Sequence, residues 1–182
     1  MVPILRFRRL FAGKVFNIDN GVIPLRANGA VMMHAVRAQF REVEVSPEQI
    51  QLVQESFDRL RPQGPAVISG FYCRFFELSP SLRPLFRTAL PLQEVHLLEA
   101  LSAVVAMLSN LQMLLPELEA LAKRHVTYGV CAVHYLDAGE ALMWTLESHL
   151  GEAFTPEVRS AWMAAYATLS DIMIASAEYR AA

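Results

Sequence analysis

The chain has 182 residues, of which 54% are hydrophobic and 19% charged, with a formal net charge of −2 at pH 7. That is enough apolar chain for one domain with a substantial core, and the near-neutral balance leaves no basic footprint for nucleic acid. Polar residues interrupt every apolar run well short of a spanning helix, so no transmembrane segment is expected. The two cysteines, Cys73 and Cys131, belong to no CxxC pair, which argues against a zinc or thioredoxin-like site. Both read as small buried or half-buried thiols in a reducing, cytoplasmic setting.

Charge is unevenly divided. Residues 1–45 carry seven basic side chains against three acidic ones, and residues 46–182 carry nine against fifteen, so the two parts are expected to be physically distinct. Met1–Phe16 is basic and apolar, with no acid before Asp19. It lacks the uninterrupted apolar stretch and small-residue cleavage site of a secretory signal. Gly13, Gly21, Pro24 and Gly29 break any long helix there. Residues 1–45 are therefore read as a mobile extension, or as an upstream artefact of a natural start at Met32 or Met33. A basic arm touching a membrane or an acidic partner is the less favoured alternative.

From Ser46 the pattern becomes regular. Ser46-Pro47-Glu48-Gln49 reads as a helix start, with Ser as cap, Pro at the first position and Gln three residues after the cap. Ile50, Val53, Phe57 and Leu60 follow at helical spacing until Pro62-Gln63-Gly64-Pro65. A second helix is expected from about Ala66 to Leu78, and a short helical turn from Ser79-Pro80 holds Leu82, Leu85 and Phe86. Pro91 opens a long apolar helix to about Leu108, and Pro116 opens another that Gly129 closes. A helix from about His134 stops at Gly151, and Thr155-Pro156-Glu157 caps the last one, which holds Val158, Trp162, Tyr166 and Met173. No segment alternates with period two, so residues 46–182 are expected to be all-α, with six or seven helices.

Several chemistries are absent: the chain has no glycine-rich phosphate loop, no GxSxG and no HExxH. A bound group would lie between helices. The candidate residue is His125, within Leu121–Val130 (LAKRHVTYGV), on the same face as Leu114, Leu118, Leu121 and Ala122. An imidazole on an apolar face is either a core histidine bonded to a backbone carbonyl or a metal ligand.

The surrounding segments decide for the ligand, because together they resemble the globin family. PEQIQLVQESFDRL resembles the first helix of that family, ISGFYCRFFELSPSLRPLF the second and third, LAKRHVTYGV the proximal-histidine segment, and HYLDAGEAL with LGEAFTPEVRSAWMAAY the last two. The likeness is to single-domain bacterial globins related to flavohaemoglobins and neuroglobin, and it runs from Ser46 to about Tyr179. It implies a globin fold of six to eight helices around a haem b pocket, with residues 1–45 outside it. His125 then matches the proximal iron ligand, Phe86 the wedge that sets the haem plane, and Tyr72 the distal tyrosine that donates a hydrogen bond to a bound gas. Gln93 matches the distal polar residue and Leu97 the apolar residue beside it. His96 is a competing choice for the distal position, expected at the haem edge or as a sixth ligand, with Gln93 preferred. Tyr135 matches a tyrosine near the proximal histidine. Its usual glutamate partner falls on Ala177, with Glu178 about 100° away on an ideal helix. His34, His134 and His149 carry no expected role.

The resemblance implies reversible binding of oxygen, for transport or storage, with nitric oxide and carbon monoxide as related ligands. The alternatives are a nitric oxide dioxygenase or nitrite reductase served by an external reductase, and a haem-based sensor acting through a separate partner. Ala177, and an end at Ala182 with no reductase or signalling domain expected to follow, weigh against an efficient enzyme.

Overall fold

The computed structural model describes residues 45–86 and 89–177. The expectations for residues 1–44 and for Glu178 lie outside them. Six α-helices follow one another with short connections: α1 (Pro47–Leu60), α2 (Gly64–Leu78), α3 (Leu90–Ala106), α4 (Leu115–Thr127), α5 (Ala132–Leu150) and α6 (Pro156–Ser176). Tight 3₁₀ turns cover Arg61–Gln63, Pro80–Leu85, Leu108–Leu114 and Gly151–Ala153. There is no strand among the described residues.

Local chemistry sets most of the boundaries. Ser46 caps α1 with its hydroxyl on the Gln49 amide, while Gln49 reaches back to the Ser46 amide at 3.0 Å. Two of the four orphan amides of a helix start are thereby satisfied. Thr155 caps α6 by accepting from the Val158 amide. At the end of α4 the Gly129 amide donates to the Val126 carbonyl and the Val130 amide to the His125 carbonyl, both at 3.0 Å, with Gly129 at φ +87°. This is a Schellman closure, whose left-handed residue favours glycine. The sequence had α2 starting two residues later than it does, and it had α3 reaching Leu108. The chain instead leaves α3 at Ala106 and turns at Asn110, which has non-helical dihedrals.

The helices pack in pairs, α1 and α4 against α6 and α2 against α5. Trp162 of α6 is buried beside Phe57 and donates its indole N–H to Ser56 Oγ at 2.9 Å, so its one polar atom is satisfied inside the core. Gly139 of α5 sits where a Cβ would lie 2.6 Å from Tyr166 Cε1. The absent side chain lets Tyr166 approach and donate its hydroxyl to the Tyr135 carbonyl at 2.6 Å. Burial raises the Tyr166 phenol above its ordinary pKa, so the donor keeps its proton.

One expectation of burial is corrected. Cys73 and Cys131 are both exposed, not buried; Cys73 falls on the outer face of α2 and Cys131 caps α5 at the surface. The long apolar helix α3 is also poorly buried, with Val105 its one buried residue, because its inner face borders a cavity.

Gly139→Ala should destabilise the fold by about 1–3 kcal/mol through overpacking against Tyr166. Ser46→Ala should cost about 1 kcal/mol through loss of the cap. Urea unfolding followed by circular dichroism would check both, and a Gly139→Ala chain as stable as its parent would contradict the close packing.

Candidate cofactor pocket

α2, α3, α4 and α5 converge on a cavity of about 310 Å³ whose walls are almost wholly apolar. That lies at the lower end of the roughly 300–1,000 Å³ found for small-molecule sites. Tyr72, Phe86, Leu97, His125 and Tyr135 all line it.

His125 is held by its own helix. Its Nδ1 lies 2.9 Å from the Leu121 carbonyl, one turn back. A carbonyl only accepts, so Nδ1 carries the proton and Nε2 keeps its lone pair. Burial, more than the neighbouring Arg124, depresses the pKa of the ring, whereas the bond to Leu121 raises it. The neutral imidazole needed of a ligand is thus the favoured form. The Tyr135 ring lies nearly parallel to it, with centroids 6.4 Å apart and planes at 27°. Tyr135 is buried and is placed by the Tyr166 bond to its carbonyl.

Opposite, Phe86 follows the Pro80–Leu85 turn. Its ring meets Tyr72, Phe75 and Phe76 edge-on at 5.6, 6.3 and 5.1 Å, the arrangement aromatic quadrupoles prefer. Tyr72 is buried, and its hydroxyl donates to the Gln93 carbonyl at 3.5 Å. That distance is at the limit of a hydrogen bond, so the hydroxyl can be redirected at little cost. Burial, with a smaller contribution from Glu94, pushes the phenol up to about 12.

The three neighbouring candidates on α3 separate. Leu97 is in the cavity wall, while the half-buried Gln93 and the exposed His96 are not among its lining residues. Ala177 is the C-terminal cap of α6. His134, given no role from sequence, lines the cavity, and its Nδ1 accepts the Cys131 amide at 3.1 Å. Its signal was its place three residues after a helix cap, where Gln or Glu commonly reaches back. His149 lies 3.4 Å from Gln63 Oε1, away from the pocket. His34 lies outside the described residues.

No group of three or more His, Cys, Asp or Glu residues could hold a bare metal ion among the described residues. A metal carried in a flat macrocycle needs only one protein ligand, and His125, with its Nε2 unengaged by the Leu121 bond, fits that requirement, whereas His134 is tied to the Cys131 amide. Among the described residues no single helix is long and apolar enough to cross a membrane.

The model of the globin family matches residues 69–173. Over 133 residues the chain is 36% identical to a flavohemoprotein of Bordetella parapertussis, a match that covers 71% of this chain and 33% of that protein. A flavohemoprotein of Vibrio cholerae is 32% identical over the same share of this chain and 34% of its own. The chain thus spans about a third of the length of the curated relatives it matches. Among solved structures it is similar to an engineered carbene transferase from Rhodothermus marinus, a protein for which nitric oxide dioxygenase is the proposed activity. The TM-score is 0.65 and the identity 29%, over 72% of this chain and 92% of that one. A bacterial globin from Campylobacter jejuni shares the fold with a TM-score of 0.65 at 22% identity, over 73% of this chain and 96% of that one.

The Tyr72 phenol keeps its proton in the folded chain where the unfolded chain releases it. Its contribution to stability is full below about pH 10 and is lost as the pH rises through about 12. Urea unfolding across that window should show a shallower loss for Tyr72→Phe than for the parent. Equal slopes would show that the phenol is not held in the buried site.

Proposed function

The chain belongs to the globin family, and from that premise we propose that it binds haem b through His125 and takes up oxygen reversibly. The observation that carries this reading is the His125–Leu121 hydrogen bond, which leaves Nε2 as the basic nitrogen in an otherwise apolar cavity. Haem, when bound, supplies an iron centre that takes a diatomic gas. The chain's own residues do the rest. His125 Nε2 ligates, and the Leu121 carbonyl, by accepting from Nδ1, fixes the ring plane and strengthens the ligand. Phe86, with its orientation set by Tyr72, Phe75 and Phe76, would pack against the bound macrocycle. Leu97 keeps water from the gas side. The Tyr72 hydroxyl, a neutral donor throughout the physiological range, would exchange the Gln93 carbonyl for a bound gas as its acceptor. Gln93, whose carbonyl the Tyr72 hydroxyl reaches, would be the second polar group on that side. Tyr135 stacks beside His125 and limits its rotation.

The second reading, nitric oxide dioxygenase with an external reductase, is favoured by the flavohemoprotein relatives and by the Rhodothermus marinus protein. Against it stands Ala177, an alanine at the position where the family resemblance would put a carboxylate. The two readings part in the reduced protein under oxygen without reductant. Persistence of its spectrum for minutes supports oxygen binding, and oxidation within seconds, or fast turnover of nitric oxide with a general reductase, supports the enzyme.

The purified protein is expected to show a Soret band that His125→Ala loses or greatly weakens. Normal haem uptake by that variant would remove His125 as the ligand.

On the gas side, a hydrogen bond to a partly charged group contributes about 1.5–3 kcal/mol. Since about 1.4 kcal/mol is tenfold, Tyr72→Phe should speed oxygen release roughly tenfold or more. Gln93→Leu should have a smaller effect in the same direction, and His96→Leu little. A six-coordinate reduced spectrum in the parent that only His96→Leu relaxes would place His96, not Gln93, over the iron.

A further inference from the structure

His134 does two things at once. It is the first side chain of α5 in the cavity wall, and it holds the start of that helix. Its ring Nδ1 accepts the Cys131 amide at 3.1 Å, and its own amide donates to the Cys131 carbonyl at 3.0 Å, which makes a capping box. The residue at this place in a capping box is ordinarily Gln or Glu. An imidazole differs from both because it accepts only through an unprotonated nitrogen, and in the cation both ring nitrogens donate. Packing adds little at this end of α5. Ala132 and Val133 are exposed, and Tyr135 is the first buried residue of the helix. Upstream, Tyr128 and Gly129 are exposed and Val130 is half-buried. The link from α4 to α5 is thus closed by hydrogen bonds, the Schellman pair on one side and the capping box on the other. Val130 and His134 both line the cavity, so this link is part of the pocket's edge. We propose that His134 is an acid-sensitive latch on the α4–α5 corner: neutral, it closes the start of α5 at the edge of the cavity, and protonated, it releases that edge.

A proton on Nδ1 replaces an acceptor with a donor that faces the Cys131 N–H. The positive charge also sits at the amino end of a 19-residue helix, where the helix dipole opposes it. Burial pushes the pKa of the ring down, and Asp137, one turn on, raises it by less. The Asp137 carboxylate is itself engaged, accepting from the Ser79 hydroxyl. Cys131 Sγ lies 3.6 and 3.5 Å from the two ring nitrogens. The charged groups of neighbouring elements are turned elsewhere. Lys123 and Arg124 of α4 are exposed, and Arg124 acts on His125. Arg83 belongs to the 3₁₀ turn whose Leu85 approaches Gly129, and it lies over the Phe76 ring. The other titratable groups of the cavity wall are His125, Tyr72, Tyr135, Tyr166 and Arg61. Because the pKa is depressed in the folded chain, the latch is fully closed above the ordinary histidine value and is lost as the pH falls through the lower folded value.

An effect on haem retention rests on the haem reading above, whereas the latch does not, so the two are measured separately. In the purified full chain, NMR follows the His134 ring and the exchange of single amide hydrogens from about pH 8 to about pH 5. The Cys131 amide should lose protection several-fold as the ring titrates, measured against the Val158 amide, whose cap is the hydroxyl of Thr155. His134→Gln, which caps without titrating, should keep that protection across the range, and His134→Ala should lack it throughout. In the haem-loaded protein, transfer of haem to excess apomyoglobin should be as slow in the parent as in His134→Gln at the alkaline end. At the acid end the parent should approach the several-fold faster His134→Ala. Protonation of His125 acts on all three and cancels in their ratios. A Cys131 amide that keeps its protection while the ring titrates would overturn the latch, as would haem loss from the parent that runs parallel to His134→Gln at every pH. If the parent has no Soret band, the haem reading fails, and the Cys131 amide still decides whether acid opens the corner.

Discussion

His125 lies four residues past Leu121, one helical turn, so its Nδ1–H reaches the Leu121 carbonyl without leaving the helix. That one bond sets the tautomer, fixes the ring plane and leaves the second nitrogen basic inside an apolar enclosure. It can form only if α4 persists through His125 and then stops cleanly. The Schellman closure at Gly129 and Val130 ends the helix and ties up the His125 carbonyl as well. A glycine with positive φ, a turn of helix and an imidazole are thus one device, and the pocket's chemistry follows from it.

The remaining walls are arranged so that rigidity falls where orientation matters. Tyr135 is placed by Tyr166, whose approach depends on the missing side chain of Gly139. Phe86 is braced by three aromatic edges. α2 and α5, which carry Tyr72 and Tyr135, pack closely on one another. α3 is the exception. Its apolar residues border the cavity or the surface instead of a neighbouring helix, and it is anchored near its ends. The packing is therefore firm on the α2 and α5 side of the cavity and sparse along α3.

The capping devices were legible from sequence because they are local. Ser46 with Gln49, Thr155 with Pro156, and Gly129 after His125 each satisfy orphan helix groups within a few residues, so the pattern of letters carries the physics. The resemblance placed Tyr72, Phe86, Leu97, His125 and Tyr135 together, and the structure brings all five to one cavity. Three things were not legible. Cys73 and Cys131 looked like core thiols by type, but burial depends on which helix face another helix covers. His134 looked incidental, because its side chain enters the wall only when α5 starts where it does. The close approach of Gly64 and Leu98 left no trace in any motif, since they are thirty-four residues apart in the chain and meet only when α2 packs on α3.

By itself, then, the sequence determined an all-α chain, the capped ends of several helices and the imidazole that α4 brings to the cavity. These depend on hydrogen bonds and apolar spacing within one or two turns, which no distant residue can easily override. The choice among Gln93, His96 and Leu97 was left to tertiary structure. The three share little more than one turn of α3, and the rotation of that helix about its axis decides which of them meets the cavity. With Tyr72 drawing on the Gln93 carbonyl and the α1–α2 corner packed behind Leu98, α3 turns Leu97 inward and His96 to solvent. Periodicity says which residues share a face, but only the packing of other helices says which way that face is turned.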